Sequence, residues 1–227
     1  MTNYRLTELI YENPLASEAD VEGFQLEGQA HITFPRGCMR MENALDPELG
    51  QEANFVFWCP EDFPPDIAVS WAFTPIREPG LCILFFAATG REGEDLFDPS
   101  LQARMGEYRM YHHGDINAFH LSYFRRRHAS ERAFHTCNLR KSYGFHMTAQ
   151  GADPIPSVQD ATPPYNIQLI KCGPEVAFTI NELPLLHFKD DGETYGPLLK
   201  GGKIGFRQMA PLMAEYANLK VHAVKKQ

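Results

Sequence analysis

Residues 165–188 read YNIQLIKCGPEVAFTINELPLLHF. A Gly-Pro pair and an Asn-Glu pair cut this stretch into three short apolar runs, which predicts a strand, a turn at 173–174, a second strand, and a turn at 181–182 into a third. Downstream, GGKIGFRQMAPLMAEYANLKVHAV (201–224) predicts a strand, a loop and a long closing strand. Upstream, the same rhythm recurs in AHITF (30–34), ANFVFWC (53–59), IAVSWAF (67–73), LCILFFAA (81–88), AFHLSYF (118–124) and AFHTCNL (133–139). In IAVSWAF the side chains of Ile67, Val69, Trp71 and Phe73 share one face, the period of a half-buried strand. With 17 prolines and 17 glycines, few windows can hold a long helix. The pattern predicts an all-β, two-sheet antiparallel sandwich or jelly roll. A chain of 227 residues fits one such domain over 1–227, with GADPIPSVQDATPPY (151–165) as a long surface loop, a lid or rim.

Apolar residues make up 44% and charged residues 22%, ordinary values for a chain that buries a core. The longest apolar run, 81–88, is far too short to span a membrane, and the N-terminal MTNYRLTELIYENPL lacks the basic, apolar and small-residue order of a secretion signal. The expectation is a soluble cytoplasmic protein with no membrane partner. Five widely spaced cysteines, an odd number without a CxxC pair, read as reduced thiols rather than a disulfide frame or a zinc site.

The formal charge is −8, yet residues 104–146 hold eight of the 21 Lys/Arg against three acids, and six of the nine histidines. The centre is HLSYFRRRHASERAFHTCNLRKS (120–142). A basic island in an acidic chain predicts a small anionic ligand and argues against nucleic acid, which attracts chains that are basic overall. The competing reading is a ladder of ion pairs.

The two C-terminal pieces resemble the end of concanavalin A-like lectin and glucanase jelly rolls, in which the last strand returns beside the first. Over roughly residues 10–222, NPLASEADVEGFQLEG, ANFVFWCPEDFP, IREPGLCILFFAATGR, EDLFDPS, YHHGDINAFHLSYFRRR, AFHTCNLRKSYGF, AQGADPIPS and GKIGFRQMAPLMAEYANLKVH resemble the YesU family of bacterial proteins. That resemblance implies a galectin-like, concanavalin A-like jelly roll with a concave groove and, by association, pectin or rhamnogalacturonan breakdown. It carries over no catalytic motif.

If 118–126 and 132–140 form a hairpin, pairing His120 with Asn138, Ser122 with Thr136 and Phe124 with Phe134 separates a polar from an apolar face. His120, Ser122, Phe124, Thr136, Asn138 and Arg140 then line a groove, with the arginine run including Arg126 at its rim. Arginine grips a carboxylate with two parallel hydrogen bonds, so the predicted partner is an acidic, uronate-containing oligosaccharide. For β-elimination of such a sugar, Asn138 and Arg140 would neutralise the carboxylate, His120 or His113 would be the base, and Tyr143 or Tyr111 the acid. His112, Asp115 and Lys141 would add contacts to the sugar. The alternatives are a lectin-like protein that binds without turnover, and an assembly protein whose basic island meets another subunit; the oligomeric state stays open.

Three further patterns are weaker. YHHGDI (111–116) has metal-ligand residue types, but adjacent histidines on extended backbone point opposite ways. The acidic loop REGEDLFDPS (91–100) reads as a solvated turn that could hold a structural calcium, and no other cofactor is expected. Glu18, Asp20 and Glu22 match the E-x-D-x-E pattern of retaining glucanases, but in a polar turn without strand periodicity the match is coincidence.

Overall fold

The structure is a computed structural model and describes residues 4–227. Its strands, in chain order, are β1 (Tyr4–Asn13), β2 (Gln25–Glu27), β3 (Ala30–Thr33), β4 (Met39–Asn43), β5 (Phe55–Trp58), β6 (Ile67–Arg77), β7 (Leu81–Gly90), β8 (Ile116–Tyr123), β9 (Thr136–Lys141), β10 (His146–Ala152), β11 (Tyr165–Cys172), β12 (Glu175–Ile180), β13 (Leu183–Lys189), β14 (Lys203–Met209) and β15 (Met213–Lys226). Two single-turn helices, α1 (Arg109–His112) and α2 (Ala129–Ala133), flank β8. One antiparallel sheet runs β13-β12-β11-β6-β15-β4-β3 with β1 also on β15, and the other runs β10-β9-β8-β7-β14-β5-β2. The two layers form the expected sandwich.

The stretch 165–188 folds as read. Asn181 and Glu182 both take positive φ (47° and 64°), the backbone twist that a two-residue hairpin between β12 and β13 requires. The closing strand β15 lies beside β1, from Tyr4↔Lys226 to Asn13↔Leu219. Ile67, Val69, Trp71 and Phe73 are buried between the sheets while Ser70 and Ala72 face outward. Trp71 Nε1 donates to Tyr123 Oη across the layers at 3.2 Å, so the indole and the phenol satisfy each other where water is absent.

The basic hairpin differs in register. His120 pairs with Arg140 and Ser122 with Asn138, two residues from the expected alignment. A shift of two preserves parity, so His120, Ser122, Asn138 and Arg140 do share the outer face of the seven-stranded sheet. Phe124 does not join them: it leaves the strand at φ 46° and its ring is buried in the inter-sheet core against Phe73. The turn around α2 is longer than a tight hairpin, and this left-handed residue redirects the chain into it.

The Pro-rich stretch 151–165 is fastened rather than lid-like at its start. Asp153 and Ile155 are buried, and Arg126, itself 1% exposed, donates to the Asp153 carboxylate (3.3 Å) and to the Ile155 carbonyl.

Candidate functional site

The outer face of the seven-stranded sheet is half filled. Residues between β7 and β8 cross it and lay Leu96, Tyr111 and the partly buried Leu101, Tyr108 and Met110 on Val56, Trp58, Ile83, Phe85 and Ala118, forming a second apolar cluster. Tyr111 stacks on Phe85 at 5.1 Å, and Arg104 ties the crossing segment to Glu27 on β2. Gly106 permits the crossing: its φ is +89°, and a Cβ there would lie 1.9 Å from the Asn54 carbonyl oxygen.

Gln51 Oε1 sets the next step. It accepts from the Tyr108 backbone N–H (3.2 Å), from Arg207 Nη2 (3.2 Å) and from Asn54 Nδ2 (3.1 Å). This places the Arg207 guanidinium 4.8 Å from the centroid of the Tyr108 ring. The Tyr108 hydroxyl lies 3.0 Å from His120 Nδ1, and His120 Nε2 lies 3.1 Å from Ser142 Oγ. Ser142 Oγ accepts from the Ala118 N–H and donates to the Ala118 carbonyl. With its one proton used there, Ser142 accepts from His120 Nε2–H, which leaves Nδ1 to accept the phenolic proton of Tyr108. His120 is 1% exposed and Ser142 is also buried; only Tyr108 in this chain of bonds reaches the surface.

On the open side, Arg125 Nη1 donates to Thr136 Oγ1 (2.7 Å) and Nη2 to Glu131 (2.7 Å). The Asn138 side-chain amide lies 3.0 Å from Arg125 Nη1 and 2.8 Å from Gln150 Nε2. Arg140 stacks its guanidinium 3.7 Å from the Phe145 ring, and Phe145 in turn meets Tyr108 and His112.

Charge balance accounts for half of the island's cations, while Arg109, Arg127 and Arg132 have no carboxylate partner among the described residues and lie at least partly exposed. Arg104, Arg125, Arg126 and Lys141 are consumed by Glu27, Glu131, Asp153 and Asp190. The ion-pair reading therefore accounts for much of the run. Arg140 and Arg207 have no carboxylate partner among the described residues, and Arg207 is fully buried with Nε and Nη1 unbonded. Burial pushes the Arg207 pKa down to about 10 and that of Arg140 down as well. Burial drives His120 well below an ordinary histidine, helped by His112, Arg207 and Arg140, and drives His112 to about 4. Tyr108 is pushed up to about 12 by burial, against the pull of Arg207, Arg140 and Arg125. The site thus gathers neutral imidazoles and a phenol under excess positive charge.

Several expected contributors lie elsewhere. Arg126 is sealed in its ion pair with Asp153 instead of sitting at a rim. Lys141, on the opposite parity from Arg140, is buried against Asp190 (2.6 Å). Phe124 is core, and Tyr111 is buried with its hydroxyl accepting from Gly106 N–H. Asp115 accepts from the Gln102 N–H and fastens the crossing segment. Tyr143 is 42% exposed beneath Arg91 (4.1 Å) and contacts His113, away from His120. His112 and His113, carried on and just after α1 rather than on extended backbone, turn toward each other and touch through their Nδ1 atoms. Tyr108 and Arg207 were missed by sequence reasoning. The signal for Tyr108 was the row Leu96, Leu101, Tyr108, Tyr111 in a segment without strand alternation; Arg207 gave none.

Near this site, Asn117, Lys141, Ser142, Tyr143, His146 and Tyr195 border a cleft of 350 Å³. Larger hollows of 510 and 790 Å³ lie on the outer face of the eight-stranded sheet, but the lysine of the first, Lys220, is paired with Glu12 and neither gathers unpaired cations. In the acidic loop, Asp95 pairs with Lys203, and Asp98 accepts from Ser100. Among the described residues no group of three or more His, Cys, Asp and Glu side chains could hold a metal, and no helix is long and apolar enough to cross a membrane. The E-x-D-x-E match falls on an exposed 3₁₀ turn (Glu18–Val21).

Residues 8–221 match the family described as "Domain of unknown function (DUF1961)". The chain is 57% identical over 219 residues to "Uncharacterized protein YesU" of Bacillus subtilis (strain 168), covering 96% of this chain and 97% of that protein. A crystal structure of a protein of unknown function with a galectin-like fold from Bacillus subtilis superimposes with a TM-score of 0.95 at 55% identity, covering 99% of this chain and 100% of that one. The carbohydrate-binding module CBM66 from Bacillus subtilis shares the fold at a TM-score of 0.54 and 11% identity, over 88% of this chain and 96% of the module.

Proposed function

This chain belongs to the DUF1961 family, and from its site chemistry we propose that it binds an acidic oligosaccharide on the outer face of its seven-stranded sheet. The observation that carries the reading is the pair of guanidiniums, Arg140 and Arg207, left without carboxylates beside Tyr108 and His120. An uncompensated buried arginine costs stability, and a ligand anion would relieve that cost. Arg140 is the partly exposed one and would meet the ligand carboxylate, with Asn138 and Arg125 beside it. The flat faces of Phe145 and Tyr108 offer apolar contact to a sugar ring. Uronate-containing saccharides of the rhamnogalacturonan type supply both features, a carboxylate and a ring. The fold's occurrence in a carbohydrate-binding module supports the choice of a sugar over other anions.

A lectin-like role without turnover has one observation in its favour: both ring nitrogens of His120 are already bonded and the ring is sealed from solvent. His120 therefore cannot itself take a proton from a bound sugar. Titration calorimetry with rhamnogalacturonan and glucuronan oligosaccharides, beside neutral oligosaccharides of equal length, tests the binding. Preference for the acidic set, weakening as salt rises, is expected; equal affinity for the neutral set, or none for either, overturns it.

A further inference from the structure

We infer that the 350 Å³ cleft beside the site is a second subsite, which holds the neutral sugar ring adjoining the uronate, with Tyr143 and Tyr195 as its aromatic walls and Arg91 and His146 as partners for its hydroxyls. The inference rests on the acidic-saccharide reading and names the sugar next to the acidic one. One wall is the turn 142–145 between β9 and β10, and its backbone is fastened at every step. The Ser142 N–H donates to the Ala118 carbonyl (3.0 Å), the Tyr143 N–H to Asn117 Oδ1 (3.1 Å) and the Gly144 N–H to the His112 carbonyl (2.7 Å). Arg140 Nη1 donates to the Phe145 carbonyl (3.1 Å). On this fixed backbone the rings of Tyr143 and Phe145 stay exposed. Aromatic rings held in water by a backbone that cannot fold over them suit a ligand with an apolar face of its own, and a sugar ring has one.

The other wall is the segment 190–199 between β13 and β14. Lys141, from the end of β9, anchors it: Nζ donates to the Asp190 carboxylate (2.6 Å) and to the Gly196 carbonyl (2.9 Å). Between these two points Tyr195 sets its ring against His146 (5.4 Å) and Phe188 (6.4 Å). The buried Lys141–Asp190 pair therefore ties the Tyr195 wall to the sheet that carries Tyr143. The cleft also adjoins the cationic place through one run of contacts. Arg140 stacks on Phe145 at 3.7 Å, Phe145 meets His112 at 4.6 Å, and His113, which touches His112, meets Tyr143 at 5.7 Å. Ser142 borders the cleft and bonds His120.

Charge decides which sugar fits here. Lys141 is balanced by Asp190, and Arg91 shares the border of the cleft with Glu92. Arg91 lies over the Tyr143 ring, 4.1 Å from its centroid, with no carboxylate partner among the described residues, so its N–H groups remain to donate to neutral oxygens. With cations and acids in balance, nothing in the cleft favours a carboxylate over a hydroxyl, in contrast to Arg140 and Arg207. The 350 Å³ volume lies near the lower end of the roughly 300–1,000 Å³ of small-molecule sites, which suits a short piece of saccharide.

The test titrates the full chain calorimetrically with three sets of equal length: rhamnogalacturonan oligosaccharides, in which a uronate alternates with a neutral sugar, glucuronan oligosaccharides, with a carboxylate on every ring, and neutral oligosaccharides. Expected is tighter binding of the alternating set than of glucuronan. Tyr195→Ala and, on the exposed surface, Arg91→Gln should each weaken the alternating set by roughly fivefold to tenfold and glucuronan by less than about twofold. Tyr195→Phe, which keeps the ring, should stay within about threefold of the parent for both. Arg140→Gln should weaken both acidic sets alike. Losses in Tyr195→Ala and Arg91→Gln that are equal for the two acidic sets, or absent from both, overturn the subsite and leave the acidic-saccharide reading standing. Neutral oligosaccharides bound as tightly as acidic ones, with that affinity lost in both variants, support the subsite and overturn the acidic reading. Absence of binding to every probe overturns both.

Discussion

Arg207 lies with its guanidinium 4.8 Å from the centroid of the Tyr108 ring and has no carboxylate partner, although it is completely buried. Two hydrogen bonds, to Gln51 and to the Gly106 carbonyl, hold only one of its three nitrogens. An ion left in this state opposes folding, so its retention points to use. Arg207→Met should therefore raise the melting temperature or leave it unchanged, by up to about 5 °C for a gain of 1–2 kcal/mol. The same variant should bind acidic oligosaccharides at least tenfold more weakly. Calorimetric melting and binding on one preparation check both; a large loss of stability would mean that the charge serves the fold.

Arg140 is the cation that a ligand reaches first. A charge-assisted hydrogen bond to a carboxylate contributes about 1.5–3 kcal/mol, so Arg140→Gln should weaken acidic-sugar binding by roughly tenfold to a hundredfold. Neutral sugars, which need no counter-charge, should be unaffected. The salt dependence of binding should flatten in the variant, and calorimetry at two salt concentrations measures that change.

The two histidines at the site are held below the ordinary value of 6.5, His112 at about 4 and His120 well below, both mainly by burial. The unfolded chain therefore takes up protons at these positions before the folded one does. Their contribution to stability is complete above pH 6.5 and declines as the pH falls toward 4. Nitrogen-detected NMR should show both rings neutral from pH 8 to 5, and His120→Gln should lessen the acid-side loss of melting temperature.

The Arg126–Asp153 pair gives a different kind of test. Both side chains are essentially sealed, and burial raises the Asp153 pKa against the pull of Arg126. Removing one partner strands a buried charge, at a cost of about 3–5 kcal/mol. Asp153→Asn should thus lower the melting temperature by roughly 10 °C, while Arg126→Met combined with Asp153→Leu should recover most of it. Thermal denaturation of the two variants beside the parent decides whether this arginine is structural, as its geometry says, or part of the site.

The sheets were legible because burial writes period two into a strand: Ile67, Val69, Trp71 and Phe73 declare their face without help from the rest of the chain. Parity in the basic hairpin was legible for the same reason, since His120, Ser122, Asn138 and Arg140 are polar positions between apolar ones. Register was not, because a shift of two residues leaves the polar pattern unchanged and only the φ of Phe124 and the length of the turn decide it. Charge was the least legible property. Arg125, Arg126 and Arg127 are equivalent letters, yet one meets Glu131, one is sealed with Asp153, and the third pairs with no carboxylate among the described residues. Arg207, 80 residues and more from that run, is brought to it only by the packing of β14 beside β7.

Gly106 offers the test that links fold to site. The crossing segment passes so close to β5 that a Cβ at this position would stand 1.9 Å from the Asn54 carbonyl oxygen and 3.1 Å from Phe55 Cα, both backbone atoms that cannot rotate away. The positive φ adds a penalty of its own for any side chain. Gly106 also accepts from Arg207 and donates to the Tyr111 hydroxyl, so lifting it disturbs both neighbours of Tyr108. Gly106→Ala should destabilise the chain by about 1–3 kcal/mol and weaken the Tyr108–His120 bond, while the inter-sheet core, which lies on the far side of β5, stays intact. The His120 imidazole resonances and amide exchange across residues 96–113 report this directly. Unchanged His120 signals in a destabilised variant would show that the crossing segment can move without carrying Tyr108, and would detach the glycine from the site.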